Sequence, residues 1–124
     1  MKVLAIHHDT ERLKALAAGW VSAVPTASVL TATNGHAGLE LAKVEDPDVV
    51  FLDLALPEAD GLEVCRHLKQ DERLQAIPVV FLPTRQTGSK SRMQALEAGA
   101  DGFLAFPVDA PELTAQVRTL ARLK

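Results

Sequence analysis

Residues 47–53 read PDVVFLD, and Val49-Val50-Phe51-Leu52 run unbroken between two aspartates. A strand with one wet face alternates apolar and polar residues. A strand apolar at every position has both faces covered, which is the usual state of a parallel strand flanked by helices. A second such run, Val79-Val80-Phe81-Leu82, follows Pro78. These two runs predict the centre of a parallel sheet, and the rest of the chain arranges itself around them.

On the amino-terminal side, Lys2 to Ile6 reads as a short buried strand. Leu13, Leu16, Ala17, Trp20, Val21 and Val24 then recur at helical spacing, with Asp9 or Thr10 as cap and Pro25 after the end. Ser28 to Thr31 is a strand candidate. Asn34-Gly35 is a turn signal, and a helix is expected from about His36 to Val44. Beyond Asp53, Leu56 to Gly61 has loop chemistry and precedes a helix carrying Leu62, Cys65 and Leu68. A polar loop from Thr84 to Lys90 leads to a helix with Met93 and Leu96, which Gly99 stops. Phe103 to Phe106 is the last strand candidate. Asp109, Pro111 and Glu112 start a final helix with Leu113, Val117 and Leu120 on its inner face. Strand and helix therefore alternate five times.

At 124 residues the chain is expected to form one domain, 1–124, without repeat or linker. A net charge of −3 argues against a domain whose task is neutralising nucleic-acid phosphates. One cysteine, Cys65, excludes an internal disulfide and a cysteine-based zinc site. No run of sequence approaches the roughly 20 apolar residues of a membrane-spanning helix, and Val3 to Ile6 is too short for a signal-peptide core, so a cytoplasmic protein is expected. The end of the chain near the end of the fifth helix suits a stand-alone protein and a piece of a longer one equally.

In an open α/β sheet, ligands bind beyond the carboxyl ends of the strands. The residues just past those ends are His7 and His8, Asp53, Pro83 and Thr84, and Phe106 and Pro107. Although about 45 residues apart in sequence, the histidines should lie close to Asp53.

The motifs around these positions are specific. They are Pro47-Asp48-Val49-Val50-Phe51-Leu52-Asp53-Leu54, Leu56-Pro57, Asp60-Gly61-Leu62-Glu63-Val64-Cys65, Ile77-Pro78, and Glu97-Ala98-Gly99-Ala100-Asp101-Gly102-Phe103-Leu104. With these motifs the whole chain resembles the receiver domain of bacterial response regulators, the aspartate-phosphorylated module of two-component phosphorelay signalling. The resemblance implies a flavodoxin-like, doubly wound, five-stranded parallel sheet in order 2-1-3-4-5 with helices on both faces. It implies that Asp53 is the phosphoacceptor, that Phe103 is the switch aromatic, and that the Phe106-Pro107 bond is cis. A family member holds Mg²⁺ with two acidic residues after strand one, the phosphoacceptor, and the backbone carbonyl two residues beyond it, here Ala55. A Thr or Ser and a Lys bind the phosphoryl oxygens. The implied partners are a histidine kinase, a phosphotransfer protein or an output domain.

This chain departs from that pattern. His7-His8 stand at the acidic pair and Phe106 at the lysine. The Thr/Ser position falls on Pro83 or Thr84, according to which flanking motif sets the register. Mg²⁺ prefers oxygen ligands, so no magnesium and no other cofactor is expected. Each lost charge-assisted hydrogen bond to phosphate forfeits roughly 1.5–3 kcal/mol. Imidazole suits zinc, copper or nickel, so His8 with Asp53 could ligate a transition ion. The simpler reading makes His7 and His8 polar fillers, because adjacent strand residues point to opposite faces. Asp9 reads as a helix cap, Cys65 as core, and His36 and His67 as solvated surface. Arg85, Lys90 and Arg92 form a basic loop region, and Leu104, Ala105 and Val108 lie on the face receivers commonly use for docking. The expected function is an atypical receiver acting through protein contacts, neither an enzyme nor a direct binder of membrane or nucleic acid. The alternative is a working Asp53 phosphoswitch with weak or non-magnesium metal dependence.

Overall fold

The computed structural model describes residues 2–23, 28–53, 61–82, 89–103, 115 and 119. Its elements run β1 (Lys2–Ile6), α1 (Thr10–Ala23), β2 (Ser28–Ala32), α2 (Gly35–Glu45), β3 (Val49–Asp53), α3 (Gly61–Gln70), β4 (Val79–Leu82), α4 (Ser89–Glu97) and β5 (Gly102–Phe103). All strand pairings are parallel, and the spatial order is β2-β1-β3-β4-β5. Four strands are four or five residues long. The fifth, expected over Phe103–Phe106, appears among the described residues only as the two-residue ladder Val80 with Gly102 and Phe81 with Phe103. Leu104 to Phe106 and nearly all of the expected fifth helix lie outside the described residues. Of that helix, Ala115 and Thr119 are helical and exposed.

The unbroken apolar runs have a simple explanation in the packing. Successive strand side chains point to opposite faces. Leu4, Ile6, Val50, Leu52, Val79 and Phe81 pack into one core with residues of α2, α3 and α4. Val3, Ala5, Val49, Phe51, Val80 and Leu82 pack into a second core with Leu13 of α1. Helices thus cover both faces, and this is a flavodoxin-like α/β fold. No helix among the described residues is long and apolar enough to cross a membrane.

The amino ends of the strands are pinned by carboxylates. Asp48 accepts from Lys2 N at 2.8 Å while its own N–H donates to Lys2 O at 2.8 Å, setting β3 against β1. Asp101 does the same for β5 and β4. Its Oδ2 accepts from Val79 N at 2.8 Å and from Lys69 Nζ at 2.7 Å, and its N–H donates to Val79 O. The helix ends obey local chemistry. Asn34, read as a turn residue, is the N-cap of α2, with Oδ1 accepting from Ala37 N at 2.8 Å. Asp46 closes α2 in the left-handed region at φ 48°. Gly99 follows α4 at φ 101°, where a Cβ would also meet the Lys69 side chain.

Among the residues of α4 whose side chains are described, the buried one is the small Ala95, and Ala98 is buried just beyond the helix end. Met93 and Leu96 are 60% and 61% exposed. In α3, Cys65 is fully buried and its Sγ donates to Ala98 O at 3.4 Å. Burial is the largest influence on this thiol and raises its pKa from 9.0 to about 11.

Two outcomes follow from this packing. A Cβ on Gly38 of α2 would collide with the Ile6 side chain, so Gly38→Ala should lower stability by roughly 1–3 kcal/mol in urea unfolding. Above about pH 9 an unfolded Cys65 releases its proton, whereas the folded one keeps it up to about pH 11. This thiol therefore makes stability fall with rising pH across that window, by at most about 1.4 kcal/mol per pH unit. Unfolding measured at pH 8 and pH 10 should show the Cys65→Ala variant losing less over that interval than the parent chain.

Candidate functional site

The site stands at the carboxyl ends of β1 and β3. Alternation along β1 puts Val3 and Ala5 on the α1 side, and along β3 it does the same for Val49 and Phe51. The next residues in the same phase are His7 and Asp53. Both are withdrawn from water, at 1% and 0% exposure. His7 continues the sheet ladder by one residue, with its N–H donating to Ala32 O at 3.0 Å.

His8 does not follow the alternation. The strand has ended at Ile6 and the backbone bends at His8. Asp9 then begins α1, its Oδ1 accepting from Glu11 N at 3.0 Å and its carbonyl from Leu13 N at 3.0 Å. The bend brings the two imidazoles together, stacked with centroids 5.0 Å apart and planes 14° from parallel. The expectation that adjacent histidines point to opposite faces is therefore corrected. It holds within a strand, and His8 is past the end of one.

Both histidines reach Asp53. His8 Nδ1 lies 2.5 Å from Asp53 Oδ2, and His8 N donates to the same oxygen at 3.4 Å. His7 Nδ1 is 3.8 Å from that oxygen, beyond hydrogen-bond distance. It accepts instead from Asp9 N at 3.0 Å, so Nδ1 carries the lone pair and the proton of a neutral His7 belongs on Nε2. The His8 side chain is 40% exposed and forms the wet edge of the cluster. Nitrogen and oxygen donors from the three residues all lie within 4.8 Å of one another.

This donor set, two imidazoles and one carboxylate, does not fit Mg²⁺, which takes carboxylate, carbonyl and water oxygens in a near-octahedral shell. Of the other residues expected at this edge, Ala55, Pro83, Thr84, Phe106 and Pro107 lie outside the described residues. Phe103 is placed through its backbone, paired with Phe81. The basic loop and docking-face positions Arg85, Leu104, Ala105 and Val108 also lie outside, and Lys90 and Arg92 are placed only as residues of α4. Cys65 is core, Asp9 caps α1, and His36 and His67 are exposed helix residues, as read from the sequence. The contact between Asp9 N–H and His7 Nδ1 was not anticipated. Its signal is the short spacing between the last strand residue, Ile6, and the helix cap, Asp9, which forces the chain to turn back over His7.

The family model for the response regulator receiver domain matches residues 5–118. The chain is 44% identical to the response regulator PleD of Caulobacter vibrioides over 96 residues, which are 77% of this chain and 21% of that protein. It is 42% identical to the transcriptional regulator RpaA of Synechocystis over 94 residues, 76% of this chain and 39% of that protein. The chain thus spans between about a fifth and two-fifths of the length of these curated relatives. Among solved structures, a putative response regulator from Chloroflexus aurantiacus superposes with a TM-score of 0.90 at 26% identity, covering 98% of this chain and 97% of that one. The receiver domain of the sensor histidine kinase PA1611 from Pseudomonas aeruginosa, with a magnesium ion coordinated in its active-site cleft, shares the fold. Its TM-score is 0.87 at 21% identity, with 98% of this chain and 97% of that one covered.

Removing His8 takes a hydrogen-bond partner from the fully buried Asp53 side chain. His8→Ala should cost about 1–3 kcal/mol in chemical denaturation. His36→Ala, at an exposed position of α2, should stay within about 0.5 kcal/mol of the parent.

Proposed function

Because the chain belongs to the response regulator receiver family and is a signalling domain of two-component systems, we propose that it is an atypical receiver. It works chiefly through protein contacts that do not wait for phosphorylation. The observation that carries this reading is the 2.5 Å approach of His8 Nδ1 to Asp53 Oδ2. A phosphoacceptor must present a free carboxylate oxygen to the incoming phosphorus, with a cation beside it to stabilise the transferring charge. Here one oxygen is engaged by an imidazole, and histidines occupy the positions where a metal-binding acidic pair would stand. Phe106, in place of the phosphate-binding lysine, supplies no counter-charge. Burying an apolar side chain at that position instead of a lysine would favour a single packing by roughly 1.5–3 kcal/mol.

The partner is a protein of the same signalling pathway, such as a histidine kinase, a phosphotransfer protein or an output domain in a longer chain. The setting is cytoplasmic. A second reading keeps Asp53 as a slow phosphoacceptor with weak or non-magnesium metal dependence. It is favoured by the retention of a fully buried aspartate at the carboxyl edge of the sheet.

Incubation with a small phosphodonor such as acetyl phosphate, with and without Mg²⁺, followed by intact-mass measurement, separates the two. The first reading expects no phosphoryl adduct. It also expects Asp53→Asn to leave partner binding nearly unchanged, and a bulky charge on the strand-four to helix-five face to abolish it. An adduct that Asp53→Asn removes, together with loss of signalling in that variant while the fold is intact, would establish the second reading.

A further inference from the structure

We infer that His7, His8 and Asp53 form a binding site for a divalent transition ion of the zinc class. This inference is independent of whether Asp53 accepts phosphate. The first observation is geometric. Ligand atoms bound at 2.0–2.1 Å in a tetrahedral zinc site stand about 3.3 Å apart. The distances to Asp53 Oδ2 from His8 Nδ1 and His7 Nδ1 are 2.5 Å and 3.8 Å, on either side of that value. The ligand atoms of all three residues lie within 4.8 Å of one another, so side-chain shifts of about 1–1.5 Å would complete the spacing.

The second observation is chemical. His7 Nδ1 directs its one in-plane lone pair at Asp9 N–H, 3.0 Å away, and stands 3.8 Å from Asp53 Oδ2, so it reaches the cluster as a ligand once it turns from that donor. A cation bound there would replace two contacts, Asp9 N–H on His7 Nδ1 and His8 Nδ1 on Asp53 Oδ2, with bonds to the same three ligand atoms. The set of two imidazoles and one carboxylate, with a position left for water, is that of an open zinc site. Asp53 is fully buried, unlike the exposed acidic clusters common on protein surfaces, and His8 provides a solvent-facing edge through which an ion can enter.

The test is titration of the metal-free full chain with Zn²⁺ alone, by calorimetry and by amide NMR. Expected are one ion per chain, saturation at micromolar zinc, a rise in melting temperature, and movement of the Asp9 amide resonance along with those of His7, His8 and Asp53. Millimolar Mg²⁺ should produce none of these. His8→Ala should weaken zinc binding at least about tenfold, and Asp53→Asn should weaken it too. The double variant His36→Ala/His67→Ala should bind zinc like the parent. Should Asp53→Asn fail to fold, His8→Ala decides the matter alone, because that side chain is partly exposed. The inference is overturned by absence of saturable zinc binding, by equal binding of Mg²⁺, or by zinc binding that survives His8→Ala and disappears in the surface double variant.

Discussion

A parallel strand covered on both faces has nowhere to place a polar side chain until it ends. Every strand of the central pair β3 and β4 obeys this limit, as does β1 after its first residue. The consequence is a separation of chemistry along the strands. Their middles supply two cores, one on each face. Their amino ends carry Asp48 and Asp101, which pair with backbone N–H groups of neighbouring strands and hold the register. Their carboxyl ends carry His7, His8 and Asp53. Among the described residues of β1, β3 and β4, polar groups stand at the two rims, and the rim with convergent side chains is the candidate site.

The same limit makes the site sensitive. A carboxylate with no exposure to water must be compensated by hydrogen bonds or opposite charge. Asp53 has both histidines within 4 Å and the His8 N–H directed at it. In a receiver with an acidic pair at these positions, compensation would fall to a metal ion. Imidazoles in their place can satisfy the aspartate directly. Gly38 extends the coupling to a neighbouring helix. It allows α2 to approach Ile6, the residue immediately before the histidines.

Two-sided burial of the central strands and the nearness of residues 7 and 8 to Asp53 at the carboxyl edge were legible in the sequence, while the sheet order came from the resemblance to receiver domains. The reason is that periodicity and strand ends translate directly into position. Two features were less legible. Met93 and Leu96, the large apolar residues of α4, are exposed, whereas Ala95 and, just past the helix end, Ala98 are buried. Hydrophobicity alone does not distinguish a helix that approaches closely through small residues from one that packs through large ones. Asn34 is equally suited to a turn and to an N-cap, and only the path of α2 decides between them.

At the site, the sequence by itself determined which side chains reach the carboxyl edge: two imidazoles beside one aspartate. Tertiary structure decided how they face one another. Strand alternation would send His7 and His8 apart, but β1 stops at Ile6, the chain must turn into α1 at Asp9, and the turn stacks the two rings on the side of Asp53. Relative direction at a strand end depends on where the next element must begin. That is set by helix packing over the whole sheet and is not encoded in the two residues themselves.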